Sequence, residues 1–292
     1  MADIITFALN DTNGLNMNFI AHNIDLGNGK FTLPETFAVL ETTERWLAIE
    51  RSIRQMFSPE EIPALTVVDL GCLEGGYSLA FAKMGMQVTG MDAREDNLEK
   101  CEWVKSHFDL PNLKYVKDDV KNLAKYPKFD IIFCAGLLYH LDEPSAFIKL
   151  MHDQTERMTI IHTHYSLEWD SFYDNRHQLS FIQRAVKNVF GLPNYHYSKK
   201  YDYRLSELVI HESYTGRWFY EFSSDSSKEA IEKHSEASYS NHRSFWHTKS
   251  EILRCFRDSG YRIIYEQFDF VSEYTGWDYT DKHDRGMFVL LK

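Results

Sequence analysis

Cysteine is scarce in this sequence: only Cys72, Cys101, Cys134 and Cys255, with no CxxC pair among them. That excludes a disulfide framework and a thiolate zinc site, and predicts reduced, mostly buried thiols. Positive charge is also short. Thirty-two Lys and Arg face 43 Asp and Glu, a formal net charge of -11 with pI near 5.6. Repulsion of that sign opposes general attachment to phosphate backbones and anionic membranes, so DNA is excluded as a partner and a small molecule is the default one. No run reaches the roughly 18 to 20 apolar residues of a membrane-spanning helix. The opening MADIITFALNDTNG lacks the basic-then-apolar order of a secretory leader, so a cytoplasmic protein is expected. Internal repeats and low-complexity stretches are missing too.

What remains is an ordinary globular balance, 43% hydrophobic and 26% charged over 292 residues, enough for one large core with additions. Four zones emerge. Residues 1–64 combine an arm and a helix: IAHNIDL and KFTL flank a Gly-Asn-Gly turn and predict a hairpin, and the apolar spacing from Pro34 to Phe57 predicts a helix packed on the core. Residues 65–165 alternate short apolar runs with amphipathic segments, which predicts five parallel strands in a doubly wound α/β sheet. Residues 166–246 are polar and aromatic-rich, far longer than an ordinary loop, and predict a cap over the strand ends. Residues 247–292 complete the sheet. Thr248 and Glu251 have capping-box spacing before ILRCFRDSG, and two final strands without a helix between them imply that the last one inserts antiparallel.

The first strand turns into the first helix through Val67-Val-Asp-Leu-Gly71-Cys72-Leu73-Glu74-Gly75-Gly76. Open parallel sheets bind ligands at this position, and glycines at 71 and 75 allow a tight turn and close backbone approach. A dinucleotide site would place glycine at 73 and avoid an acid just upstream, since a phosphate must rest there. Asp69 favours a cationic ligand instead. Asp92 ends the second strand about twenty residues later, where a carboxylate can accept ribose hydroxyls. Asp118 and Asp119 close the third strand, and the fourth runs Phe129-Asp-Ile-Ile-Phe-Cys-Ala135-Gly-Leu-Leu-Tyr139-His140.

These motifs resemble those of class I S-adenosylmethionine-dependent methyltransferases over residues 65–165 and 247–292, with Leu73 in place of the middle glycine of the first motif. The resemblance implies a Rossmann-like seven-stranded sheet and cofactor contacts from Asp69, Gly71, Cys72 and Gly75, from Asp92 with Ala93, from Asp119 with Val120, and from Ala135. HTHYSLEWD, YTGRWFYEF and NHRSFWHTKSEIL look like a branch mostly assigned to methylation of small molecules, sugars or polysaccharides. That implies an O-methyltransferase with a small-molecule or glycan acceptor. The Leu-Tyr-His element is shared with wobble-uridine modifying enzymes, but tRNA needs a basic surface that this composition does not supply. A non-catalytic cofactor-binding protein or partner subunit is the third reading, resting on Leu73.

Removing a proton from a hydroxyl acceptor suits histidine. His140 opens the loop after the fourth strand, while His162 and His164 lie two apart on the fifth and so share one face. Nine of 17 tyrosines fall between Tyr165 and Tyr239. Tyr139, Tyr165, Trp169, Arg217 and Trp246 are candidate acceptor contacts, with packing of the cap as the alternative role for the aromatics. Ser198-Lys199-Lys200 with Arg204 and Arg217 could hold an anionic group on the acceptor. His162, His164, Glu168 and Asp170 offer donors to magnesium without a specific ligand pattern, so no metal is assigned. Whether the chain forms a homodimer stays open.

Overall fold

The computed structural model describes residues 8–10, 16–34, 36–166, 168, 205–234, 237–268 and 285–292. The chain starts with two antiparallel hairpins: β1 (Ala8–Asn10) with β2 (Asn16–Asn18), and β3 (Asp25–Gly27) with β4 (Lys30–Phe31). The second is the expected one. Its turn, Gly27-Asn28-Gly29, holds φ at 83°, 54° and 72°, conformations that glycine and asparagine adopt at least cost. The helix expected from Pro34 begins later. A single 3-10 turn at Leu40–Thr42 precedes α1 (Glu44–Met56), whose first turn is capped by Thr43 Oγ1 accepting from the Trp46 amide. Before it, Asn23 ties the chain down through Leu33 and Phe37, which keeps Phe37 out of any helix and half exposed.

The central sheet takes β5 (Thr66–Leu70), then α2 (Gly76–Lys83), β6 (Gln87–Asp92), α3 (Glu95–Lys105), β7 (Leu113–Lys117), β8 (Phe129–Ala135), α4 (Pro144–Gln154) and β9 (Thr155–His164). A small antiparallel sheet follows: β10 (Val209–His211), β11 (Tyr214–Tyr220), a short α5 (Lys228–Glu232) and β12 (Arg243–His247). The chain then returns through α6 (Lys249–Ser259), β13 (Ile263–Gln267) and β14 (Arg285–Leu291). The seven-stranded order is β13-β14-β9-β8-β5-β6-β7. β5 to β9 pair in parallel, and β14 inserts antiparallel between β9 and β13, as the helix-free ending predicts.

Period-two burial on both faces makes this a sandwich of helices around a sheet. Val67, Ile131, Phe133, Ile160 and Val289 pack under α1 and α2. Their neighbours Val68, Ile132, Cys134, Ile161 and Phe288 pack under α4 and α6. Each such side chain contributes about 1.5–3 kcal/mol by leaving water, so the strand ends above them sit on a rigid base.

Two carboxylates from distant loops cap helices of the core. Glu212, in the turn after β10, accepts from the Ser145 and Ala146 amides at 2.9 and 2.8 Å, and so caps α4. Glu168 accepts from the Ser250 amide at 2.8 Å and caps α6. The expected Thr248–Glu251 capping box does not form: the Thr248 side chain makes no cap bond, and Glu251 is drawn to the Thr215 amide and Arg254. The salt bridge and the adjacent strand outcompete the local helix end. Trp169, Asp170, Ser198, Lys199, Lys200 and Arg204, with Tyr173, Tyr195, Tyr197, Tyr201 and Tyr203, lie outside the described residues. No described helix is long and apolar enough to cross a membrane.

Candidate active site

A cavity of about 310 Å³ opens above the C-terminal ends of β5, β6, β8 and β9, the crevice where parallel sheets bind ligands. Eight of the nine expected cofactor residues line it: Asp69, Gly71, Cys72, Asp92, Ala93, Asp119, Val120 and Ala135. Gly75 does not. It caps the start of α2 at φ 76°, where a Cβ would meet the Tyr115 hydroxyl at 2.6 Å, so it is needed for the turn.

Leu73 also has positive φ, 51°, so it adopts the backbone conformation that a glycine would take with less strain. Its amide donates to Asp92 Oδ2 at 3.1 Å. The turn keeps its shape despite the leucine. The Arg94 amide and the Asn97 side chain donate to Asp92 Oδ1 at 2.9 and 3.2 Å. Burial raises the Asp92 carboxyl above the usual range, opposed by these bonds. Asp69 is pushed up to about 7, first by burial and also by the nearby Asp92 charge, although Ser78 Oγ donates to it at 2.6 Å. Two buried carboxylates facing one cavity make it a place for positive charge and for hydroxyl donors. Asp119 lines the cavity, whereas Asp118 turns away to Asn122 and Tyr126.

Four segments that the motifs did not single out finish the walls. The arm supplies Ala21 and His22, and α1 supplies Arg45. Glu74, fully buried in the glycine turn, holds that arm by accepting from the Ile20, Ala21 and His22 amides at 2.7, 3.1 and 2.9 Å, with Lys100 beside it at 3.3 Å. His22 Nδ1 accepts in return from the Gly76 amide at 3.1 Å. Burial lowers His22 to about 4, which leaves the ring neutral and able to accept. Across the cavity runs a strap of residues 237–241, fastened by Arg94, whose Nη2 donates to the Ala237 and Ser238 carbonyls, both at 3.0 Å. Arg285, at the start of β14, completes the rim and donates to the Tyr139 hydroxyl at 3.2 Å. Arm and strap were hidden because their contacts span tens of residues.

The candidate catalytic residues separate. His140 and His162 line the cavity, as does Tyr139. His164 lies outside its lining and stacks on Trp246 at 4.7 Å, with Tyr139 edge-on at 4.6 Å. Trp246 is fully buried between His164 and Phe219 and donates from Nε1 to the Tyr139 carbonyl at 2.9 Å, so it supports the wall from behind. Tyr165 packs into the core beside Phe288, and the buried Arg217 donates to the Ser206 carbonyl within the small sheet. None of these three expected acceptor contacts lines the cavity. Of the cap tyrosines that the structure describes, Tyr239 lines the cavity, while Tyr214 packs against Arg254 and donates to Asp258.

The described magnesium donors do not converge either. His162 faces the cavity, His164 is stacked and Glu168 caps a helix; no group of three or more His, Cys, Asp or Glu among the described residues could hold a metal.

A seven-stranded sheet with an antiparallel strand next to its edge, and acids at the ends of successive strands, defines the class I methyltransferase fold. The chain belongs to the family described as "methyltransferase domain", whose model matches residues 62–207. It is 33% identical over 85 residues to the ubiquinone biosynthesis O-methyltransferase of Proteus mirabilis, covering 28% of this chain and 34% of that protein. It is 38% identical over 86 residues to the protein of that name from Coxiella burnetii, covering 28% and 36%. The chain thus matches about a third of the length of these curated relatives. Two solved structures share its fold. The N-terminal domain of EvdMO1 with SAH bound matches at TM-score 0.54 and 20% identity over 84% of this chain and 79% of that one. The same domain in the presence of SAH and D-fucose matches at 0.57 and 19% over 92% and 88%.

Proposed function

We propose that this chain is an S-adenosylmethionine-dependent O-methyltransferase acting on a hydroxyl of a small molecule or sugar. The observation that carries the reading is convergence: eight residues expected to bind the cofactor and two histidines expected to move a proton line one cavity. The donor set fits the group. Asp92 would accept the ribose hydroxyls, Asp119 and the Val120 amide would meet the adenine edge, and Asp69 would face the positively charged methionyl end. Arg45 is placed to meet a carboxylate there. When bound, the cofactor supplies a methyl group already activated on a sulfonium.

The chain's own contribution is to align an acceptor oxygen in line with that methyl and to take its proton. His140, beside Tyr139 on the same wall, is the base that the geometry favours; His162 is 2% exposed at the cavity floor. The EvdMO1 domain in the presence of SAH and D-fucose supports a sugar-like acceptor, and the ubiquinone O-methyltransferases support a phenolic one. A net charge of -11 weighs against tRNA. The non-catalytic reading loses its ground, because Leu73 takes up the backbone shape that the motif needs.

Calorimetric titration with S-adenosylhomocysteine tests the cofactor site. Wild-type protein is expected to bind it, and Asp92→Ala to lose at least about 100-fold in affinity, about 2.7 kcal/mol. Absence of binding by folded wild-type protein would overturn the reading. Binding would justify screening sugars and phenols as acceptors.

A further inference from the structure

A side chain at the edge of the small sheet, just beyond β11, grips the proposed base. His140 sits in a 3-10 turn, Leu138–His140, directly after β8. Its Nδ1 lies 3.1 Å from Oε2 of Glu221, the residue following β11. The two side chains are 13% and 10% exposed, so the contact is largely sheltered from water. Among the described residues, Nε2 of His140 has no hydrogen-bond partner, although the residue lines the cavity.

Glu221 is itself held. The same Oε2 accepts from the Ser238 amide at 3.1 Å, and Ser238 Oγ donates to the His140 carbonyl at 3.2 Å. Asn241 Nδ2 donates to that carbonyl at 3.1 Å and to Asp142 Oδ1 at 3.2 Å. The base and its carboxylate are thus fastened to one strap, by both backbone and side chain. Nearby charges are already committed: Lys121 pairs with Asp142 at 3.0 Å, Arg94 binds the strap carbonyls, and Arg285 engages Tyr139.

We propose that Glu221 is the positioning residue of His140, holding the ring as the Nδ1–H tautomer so that Nε2 presents its lone pair to an acceptor hydroxyl. This rests on the methyltransferase reading above and deepens it by assigning the acceptor atom and the proton's path. A carboxylate accepts only, so it selects a ring nitrogen that carries hydrogen and leaves the other free to take a proton. In the transfer, the acceptor oxygen bonds to the methyl carbon as the carbon–sulfur bond breaks. The hydroxyl proton passes to His140 Nε2, and the electron pair of the broken bond stays on sulfur, which changes from sulfonium to neutral thioether. Glu221 then faces an imidazolium, whose charge it balances at hydrogen-bond distance. An acid–base pair of this kind suits alcohol and phenol acceptors, which must lose a proton to gain a methyl.

Nitrogen-15 spectra of the histidine rings test it on the full-length chain, recorded at a pH high enough for the ring to be neutral and with His140 assigned from a His140→Gln sample. Wild-type protein is expected to show His140 as Nδ1–H. Glu221→Ala is expected to lose that state, the ring relaxing towards Nε2–H, while Glu221→Gln, which keeps an acceptor oxygen, restores it. An Nε2–H ring in wild type overturns the proposal even if no variant folds, and so does an Nδ1–H ring that survives in folded Glu221→Ala. Titration of the same samples with S-adenosylhomocysteine separates the two readings: failure to bind would sink the cofactor assignment, whereas a wrong tautomer would sink Glu221 alone.

Discussion

Neither Glu74 nor Glu221 lines the cavity, but each holds residues that do, and each collects donors from another stretch of chain. Glu74 takes three successive backbone amides of the arm and is fully buried, with Lys100 balancing its charge. Glu221 takes one amide of the strap and one imidazole, and keeps a little exposure. The first arrangement is a fixed joint whose three amide donors cannot change protonation. The second includes a ring that can. One wall is built to stay still, and the other to exchange a proton without losing its shape.

The sharpest way to break this contrast is Glu74→Ala. Removing a buried carboxylate strands three amides and a lysine, and an uncompensated buried charge costs about 3–5 kcal/mol. Glu221→Ala removes a partly exposed acceptor and should cost only about 1 kcal/mol. Urea unfolding of both variants checks the difference; equal losses would mean that the arm is not the rigid wall.

A second effect comes from the floor between the walls. With its carboxyl raised to about 7, Asp69 is largely protonated in acid and becomes ionised as pH rises through neutrality. In the ligand-free protein its raised value favours folding below the ordinary carboxylate range, and that contribution is lost as pH climbs through about 7. A cationic ligand reverses the sense: S-adenosylmethionine should bind more tightly as pH rises through 7, by up to about tenfold per unit below it. Calorimetry across that range would show the slope, and Asp69→Asn should flatten it.

The smallest change is expected at Leu73. Glycine there would relieve a left-handed leucine, worth roughly 1–2 kcal/mol, but would give back part through a freer unfolded chain. Thermal unfolding of Leu73→Gly should therefore move stability upward by no more than about 1 kcal/mol.

What could be read from the sequence divides along the same line. Asp69, Gly71, Asp92, Asp119 and Ala135 are legible because each ends a strand whose apolar alternation is local, so the register of the sheet fixes where it points. The antiparallel β14 is legible because the sequence between it and β13 reads as a polar loop rather than a helix. Glu74, Glu212 and Glu168 are not, since an acid that accepts amides from a segment 50 or more residues away looks like any surface acid until the fold brings them together, and Glu221 is hidden in the same way, its imidazole partner lying 81 residues back. Trp246 and Arg217 mislead for a related reason: residue types suited to ligands are equally suited to bracing a wall, and only burial separates the roles.

The arm's attachment has a consequence during synthesis. Ile20, Ala21 and His22 leave the ribosome first, yet the carboxylate that holds their amides lies 52 to 54 residues further on. At about 5–20 residues per second, that interval lasts roughly 3 to 10 s. Throughout it those three amides wait without the acceptor that the finished protein gives them, so a nascent chain stalled before Glu74 would offer chaperones and proteases an arm not yet tied down.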